Sequence, residues 1–590
     1  MGVPGPVRVR SSLSSRLSMA QRYQHPGAPL KCASLRPVRA EHVVLVVAAA
    51  TLMILVVLPL ASLIVGSVVD GGRPTLEHFR EALRGRLYVQ ALWNSLVLGA
   101  WTAALSVVIG LPLAWAVSRT NVPGKRFLHF TAVISYLTPP FLTAIAFVNL
   151  FGPNAGLVNR FVRDVLSAPA LTFNVFSMAG LVLVTVPHTF PFVYLLAASA
   201  LESVDASMEE SAQILGAGRW RTAAAVTLPL VAPAVLSGAL VAFVNAIALF
   251  GSQAIVGLPG RVFTLPTRIY ALFDYPPQYG LASALSLIFV AITVAALYLQ
   301  RRYLARRSYV TVGGKGGRPQ LVDLGRARFA VLAFGVAVFV IAVAAPYLTL
   351  LAVSVSKSWG LTFWQNLTLQ HYRFVLLEYD VTRRAIVNSL MLAAGAATLA
   401  VVLGSLVGWV DLRTTAPGRK LLDYVSLIPL GLPGIVVAVA LIQFWLALPI
   451  PIYGTLLIIL LAYTARYVPL GVRSANAAFR QIDPSLEETA RVTGAGWLRT
   501  FRSVTLPLAR PGLFAGWLLV FVPALQELSA SILLFSSGSI TLAVAVYNLY
   551  ETGALKPVAA LAIVTMVIIT AAIALATRLG RGGAGVSVAQ

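Results

Sequence analysis

The sequence predicts an all-α, polytopic membrane protein, with about twelve transmembrane helices in two parallel six-helix repeats, on three observations. Hydrophobic residues occupy 58% of the 590 positions and charged residues only 11%, with a mean hydropathy of +0.83; a soluble globular chain carries about 25% charged residues. The apolar residues gather into runs of about 20, the length that crosses about 30 Å of hydrocarbon. Finally, a polar stretch at 205–233 recurs without a gap at 483–511, with about 16 of its positions identical.

The chain opens on residues 1–39, which carry Arg8, Arg10, Arg16, Arg22, Lys31, Arg36 and Arg39 and no acid. The apolar run that follows is too long for a secretory signal and lacks a small-residue cleavage site, so it reads as a retained span behind a basic cytoplasmic tail. Spans are expected at about 43–68, 91–117, 127–151, 176–200, 224–250, 280–300, 327–355, 386–410, 421–447, 453–475, 508–534 and 556–577. An even number leaves both termini on one side. The loops on that side carry Arg119, Lys125 and Arg126, then Arg301, Arg302, Arg306, Arg307, Lys315 and Arg318, then Arg413, Arg419 and Lys420, which marks it as cytoplasmic. The layout is therefore a tail at 1–40, a first half at 41–310, a linker at 311–326, a second half at 327–578 and a tail at 579–590.

The duplication reaches beyond the polar stretch. Asn94, Trp115, Arg119, Pro123, Gly124 and Pro139 answer Asn388, Trp409, Arg413, Pro417, Gly418 and Pro433, and His78 answers His371. The offset falls from about 294 to about 278 before the polar stretch, so the first half carries an extra outer segment near 152–171. Each half spends an even number of spans, so the repeats are parallel, related by an axis along the membrane normal.

Within the polar stretch, Asp483 followed by Pro484 is a helix N-cap followed by a proline at the first helical position, and Asp205 takes the same cap role. Met208, Ala212 and Leu215 form a narrow apolar stripe whose start Leu486 and Ala490 repeat. Gly216 and Gly494 stand where a left-handed residue closes a helix. Each copy thus reads as a helix of about ten residues. Glu209, Glu210, Glu487 and Glu488 fall in the first turn, where the helix dipole favours a carboxylate, but the dipole does not explain the same Glu pair, Gly and Leu-Pro at one spacing twice. Arg221 and Arg499 are either positive-inside anchors or contacts to a partner.

The residues Glu210, Ala212 and Gly216 followed by Val226, Leu228 and Pro229, and again Glu488, Ala490 and Gly494 followed by Val504, Leu506 and Pro507, resemble the EAA loop of ABC-importer permeases, with Ser211 and Thr489 in place of an alanine. The resemblance implies the type I ABC importer permease fold, with both halves fused. It makes each loop a coupling helix that docks on an ABC ATPase subunit dimer, through Asp205, Glu209, Glu210, Ala212, Gly216, Arg221, Leu228 and Pro229 and through Asp483, Glu487, Glu488, Ala490, Gly494, Arg499, Leu506 and Pro507. The runs at 151–156, 308–319 and 527–534 further resemble the fused ferric-iron permeases. That similarity implies a periplasmic or lipid-anchored solute-binding protein delivering iron; thiamine, phosphonate and polyamine permeases belong to the same subfamily.

Glu527 with Gln526 lies inside the expected eleventh span, where an acid costs at least about 2.5 kcal/mol unless it faces a cavity or partner. Both are translocation-pathway candidates, and Asn245 and Gln253 are weaker ones; an inter-helix hydrogen bond or a position nearer the interface is the alternative. No cofactor is expected. The glycine-rich run around Lys315 lacks the Ser or Thr of a phosphate-binding loop and any α/β domain to house it. Cys32 is the single cysteine and the histidines are scattered, which excludes an intrachain disulfide and leaves no metal-ligand spacing. The net charge of +25 lies beside apolar runs, as in membrane flanks, rather than in a nucleic-acid-binding patch. A twelve-span secondary transporter needs neither polar loop and is expected to hold more intramembrane ionisable groups; a membrane enzyme needs a convergent catalytic set that the sequence lacks.

Overall fold

The structure, a computed structural model, describes residues 37–306 and 321–581, together with Gly2. The basic tail with Cys32, the glycine-rich part of the linker and the last residues lie outside the described residues. Among those described, ten helices are long and apolar enough to cross a membrane: Glu41–Val68, Arg86–Arg119, Met178–Ser203, Ala223–Ala248, Tyr279–Arg302, Ala327–Ser354, Asp380–Arg413, Leu456–Arg480, Trp497–Leu525 and Leu555–Ala576. Two further segments qualify only as bent pairs, Lys125–Leu137 with Pro140–Phe151 at 99° and Arg419–Gly431 with Gly434–Leu446 at 114°. Counted with the pairs, the spans number up to 12.

The spans expected at 127–151 and 421–447 are present, each broken by a sharp bend. Pro139 and Pro140 in one, and Pro433 in the other, remove amide donors and push the preceding residue into extended backbone, at Thr138, Pro139 and Leu432. Two other spans also end short. The fifth ends at Ala248 and is followed by the short helix Gly251–Gly257; the eleventh ends at Leu525, two residues past Pro523, and resumes only as Ser531–Leu534. Non-helical backbone at membrane depth is tolerated where protein covers it, and Phe250, Gly251, Leu528 and Ala530 are all buried.

Prolines leave a second signature. Four spans carry a five-residue π-turn, at Met53–Val57, Ala223–Thr227, Val340–Ala344 and Phe501–Thr505, each ending two positions before a proline: Pro59, Pro229, Pro346 and Pro507. The proline ring cannot donate and crowds the carbonyl one turn back, so the ladder slips to the wider register just ahead of it.

The core of each half is the second, fourth and fifth spans or the eighth, tenth and eleventh, packed side by side. Small residues set the spacing: Gly404 and Gly471 face each other so closely that a Cβ on either would strike backbone of the opposite helix. The first span reaches over to pack on the ninth, and the seventh on the third and twelfth, so each half is clasped by the leading helix of the other. The linker's exit also crosses: Val322 N–H donates to the Arg119 carbonyl (2.8 Å), and the Val322 carbonyl accepts from Asn121 N–H (3.2 Å). The extra segment of the first half is present as Leu157–Arg160, Phe161–Val165 and Pro169–Leu171, on the face opposite the duplicated loops.

Candidate functional site: two loop helices and a junction of broken spans

The duplicated loops form the helices Ala206–Ile214 and Pro484–Val492, each about the length expected. Asp205 and Asp483 cap them, their Oδ1 atoms accepting from Ser207 N–H and Ser485 N–H at 2.9 Å each. Those amide bonds hold both carboxyl groups below the usual aspartate pKa. At the other end Gly216 and Gly494 have φ of +86° and +87°, and the next amide, of Ala217 or Ala495, bonds back to the Ala212 or Ala490 carbonyl at 3.0 Å. This is a left-handed closure that satisfies orphan carbonyls.

Of the apolar stripe read from the sequence, only the larger side chains turn away from the body. Met208 is 49% exposed and Leu215 88%, and Leu486 and Val492 are 47% and 88% exposed. Glu210, Glu488, Arg221 and Arg499 are exposed as well, whereas Ala212 and Ala490 are half-buried underneath. Leu228 and Leu506 are exposed at the start of their spans, and Pro229 and Pro507 set the π-turns just described.

The two glutamates of each pair do different things. Glu209 is turned inward, its Oε2 3.3 Å from Arg119 Nη1 and its Oε1 accepting from Thr227 Oγ1 at 2.6 Å. Glu487 is buried likewise: its Oε1 lies 3.2 Å from Arg413 Nε and accepts from Thr505 Oγ1 at 2.9 Å. Arg119 also donates to the Val204 carbonyl (3.0 Å), and Arg413 to those of Phe479 (2.9 Å) and Ile482 (2.8 Å). The arginines and threonines were not among the residues picked from the sequence for this role. Their signal was there, since Arg119 answers Arg413 in the duplication and Thr227 and Thr505 lie within the identical register.

The pathway candidates sit where spans break. Glu527 is not inside the eleventh span, as expected, but two residues beyond its end, because the helix stops at Leu525. It is 5% exposed and fully engaged: Arg466 Nη1 lies 3.2 Å from Oε1, Tyr467 donates to Oε2 at 2.7 Å, and Ala530 N–H donates to Oε1 at 3.0 Å. Gly434, at the bend of the ninth span, leaves room for that guanidinium, for a Cβ there would collide with it. Gln526 crosses to the other half, donating to the Leu137 carbonyl at the first bend (2.9 Å), and Ser529 Oγ accepts from Phe250 N–H (3.4 Å). Gln253 is fully buried, bonded to the Ala246 carbonyl and to Thr264. Asn245 bonds only back to Val241 of its own helix (2.9 Å). The halves differ here: at the register of Arg466 and Glu527 the first half has His188, stacked on Tyr136 at 5.7 Å, and Leu249. Among the described residues no group of three or more His, Cys, Asp or Glu is placed to hold a metal ion.

Two six-span repeats, each with a capped loop helix turned outward, define a transport permease, and comparison with known families agrees. The chain belongs to the family of binding-protein-dependent transport system inner membrane components, whose profile matches twice, at residues 106–309 and 400–582. It is a fused, two-half, multi-pass inner-membrane permease of the ABC importers and not an enzyme. Among individual relatives it is 27% identical over 84% of its length, and 77% of the other's, to the putative ferric transport system permease protein FbpB 1 of Haemophilus influenzae. It is 26% identical over 84% of its length, and 72% of the other's, to the ferric transport system permease protein FbpB of Actinobacillus pleuropneumoniae. A single-half relative, the molybdenum transport system permease protein ModB of Escherichia coli, is 30% identical over 38% of this chain and 96% of its own.

Proposed function

We propose that this permease imports ferric iron handed over by a solute-binding protein, and that each loop helix docks on a separate ATPase subunit, with both termini in the cytoplasm. The docking reading is carried by one observation: in both copies the loop helix is held by its first glutamate, while its second glutamate and the apolar residues Met208 and Leu215, or Leu486, are exposed. The exposed apolar side chains Met208, Ile214 and Leu215, or Leu486 and Val492, with an acid beside them, suit insertion into a groove of another protein. The arginine-rich loops on the same side support the orientation. No stretch of the chain supplies a nucleotide site, which favours an ATPase on another polypeptide.

The iron assignment rests on the full-length relatives, both named for ferric transport. The junction of broken spans, where Leu137, Phe250, Gly434 and Gln526 to Ala530 meet, is the proposed translocation path, since half-helices and unwound backbone at the midplane are how carriers expose polar groups there. Reconstituted vesicles containing the permease, its ATPase and its binding protein decide the substrate. ATP-dependent uptake of ferric iron is the expected result; uptake of molybdate or thiamine without iron overturns the iron assignment and leaves the permease reading intact.

A further inference from the structure

We infer that Arg119, Glu209 and Thr227, and in the second half Arg413, Glu487 and Thr505, are the joint that makes each loop helix move three spans as one body, a proposal that rests on the docking reading. Along Pro484–Val492 only Glu487 is buried and Ala490 half-buried, with every other residue exposed. Along Ala206–Ile214 the same holds of Glu209 and Ala212, both half-buried, among the residues whose exposure is described. The helix therefore stands off the body and is riveted to it through one carboxylate.

That carboxylate reaches three spans. The arginine comes from the last residue of the second or eighth span, and its guanidinium also bonds carbonyls at the end of the fourth or tenth. The threonine comes from the π-turn that opens the fifth or eleventh. Arg119 and Thr505 are each 1% exposed, and the Glu209 and Arg413 side chains 14% and 11%, so these charge-assisted bonds are largely shielded from water. A guanidinium reaches the carboxylate and the carbonyls from donors spread over a rigid plane, whereas an ammonium offers its three donors from a single point. The constellation also occurs in both halves although the loops differ at positions such as Arg219 and Trp220 against Trp497 and Leu498, so it does not depend on those neighbours. These are positioning residues. The groups that meet the partner lie on the opposite side of the helix, so the joint can be weakened without touching the docking face.

The test uses the full permease with its ATPase and binding protein in vesicles, and reads ATPase retention and the ratio of binding-protein-stimulated to basal ATP hydrolysis. Thr505→Val removes the hydroxyl at nearly constant shape, Thr505→Ser keeps it, and Arg413→Lys keeps charge without the fork. The expected result is unchanged ATPase retention with a stimulated-to-basal ratio lowered at least about fivefold in Thr505→Val and Arg413→Lys, the lower end of couplings between distant sites, and a wild-type ratio in Thr505→Ser. A wild-type ratio in Thr505→Val and Arg413→Lys, or equal loss in Thr505→Ser and Thr505→Val, overturns the joint while leaving docking intact. A wild-type permease that retains no ATPase overturns the docking reading itself.

Discussion

Replacing Gly494 by valine perturbs one dihedral and almost nothing else. Its φ is +87°, and a Cβ built there meets no atom within 4 Å, as is also true of Gly216 at +86°. The cost is therefore backbone strain alone, roughly 1–2 kcal/mol for a side chain in the left-handed region. If that strain is relieved by letting the loop helix leave its docking pose, the docked-competent population falls by a factor of about 5–30. Asparagine enters the left-handed region with little penalty, so Gly494→Asn is the control. The assay is equilibrium binding of the purified ATPase to permease in lipid nanodiscs, on samples matched for span content and monodispersity. We expect Gly494→Val and Gly216→Val each to weaken binding by about that factor, with Gly494→Asn close to wild type. Wild-type affinity in both valine variants refutes the reasoning; equal weakening by Asn and Val refutes the assignment of the effect to φ.

Other outcomes follow from the same geometry. Glu527→Ala strands a guanidinium at membrane depth; breaking a buried pair costs about 3–5 kcal/mol, and the 22% exposure of the Arg466 side chain places it toward the lower end. The detergent melting temperature should drop, with Arg466→Met combined with Glu527→Leu recovering most of it. Gly404→Val drives a side chain into the backbone around Gly471, an overpacking worth about 1–3 kcal/mol or more, visible as loss of monodisperse protein. The Asp483 cap has a lowered carboxyl pKa because it accepts from the Ser485 amide, so its contribution is complete above the ordinary value of 3.8 and is lost as pH falls through the lowered one. Asp483→Asn, which still caps but cannot titrate, should show less change in loop-helix protection by hydrogen exchange across that acid range.

Much of this architecture was legible because the membrane imposes it. Runs of about 20 apolar residues located every span, and a duplicated Asp, Gly and Leu-Pro frame located both loop helices with caps and closures at Asp205, Gly216, Asp483 and Gly494. The bends at Pro139 and Pro433 were less visible. Hydropathy averages over a window and cannot tell a straight helix from two half-helices of the same composition, although the paired prolines were the available clue. Glu527 was placed inside a helix for the same reason, since the apolar run resumes at Ile532 to Phe535 after the ladder has ended. Its partner Arg466 lies on another span, and sequence periodicity carries no information on which distant residue neutralises a buried acid. The division of labour between Glu209 and Glu210 was also out of reach. Adjacent helical residues point about 100° apart, so the two glutamates cannot share one environment, but which of them turns inward depends on where Arg119 stands.

The claim that the loop helices are docking elements is tested most directly by site-specific cross-linking. In a Cys32→Ser background, single cysteines at Ile214 and Val492, which are 86% and 88% exposed at the tips of the two loop helices, would be treated with a short bifunctional reagent in native membranes containing the ATPase. A cysteine at Leu171, 74% exposed on the opposite face, serves as the control. Cross-links to the ATPase at both Ile214 and Val492 and none at Leu171 are the predicted result. Absence of ATPase cross-links at both loop positions, in membranes where the ATPase co-purifies with the permease, would contradict the account.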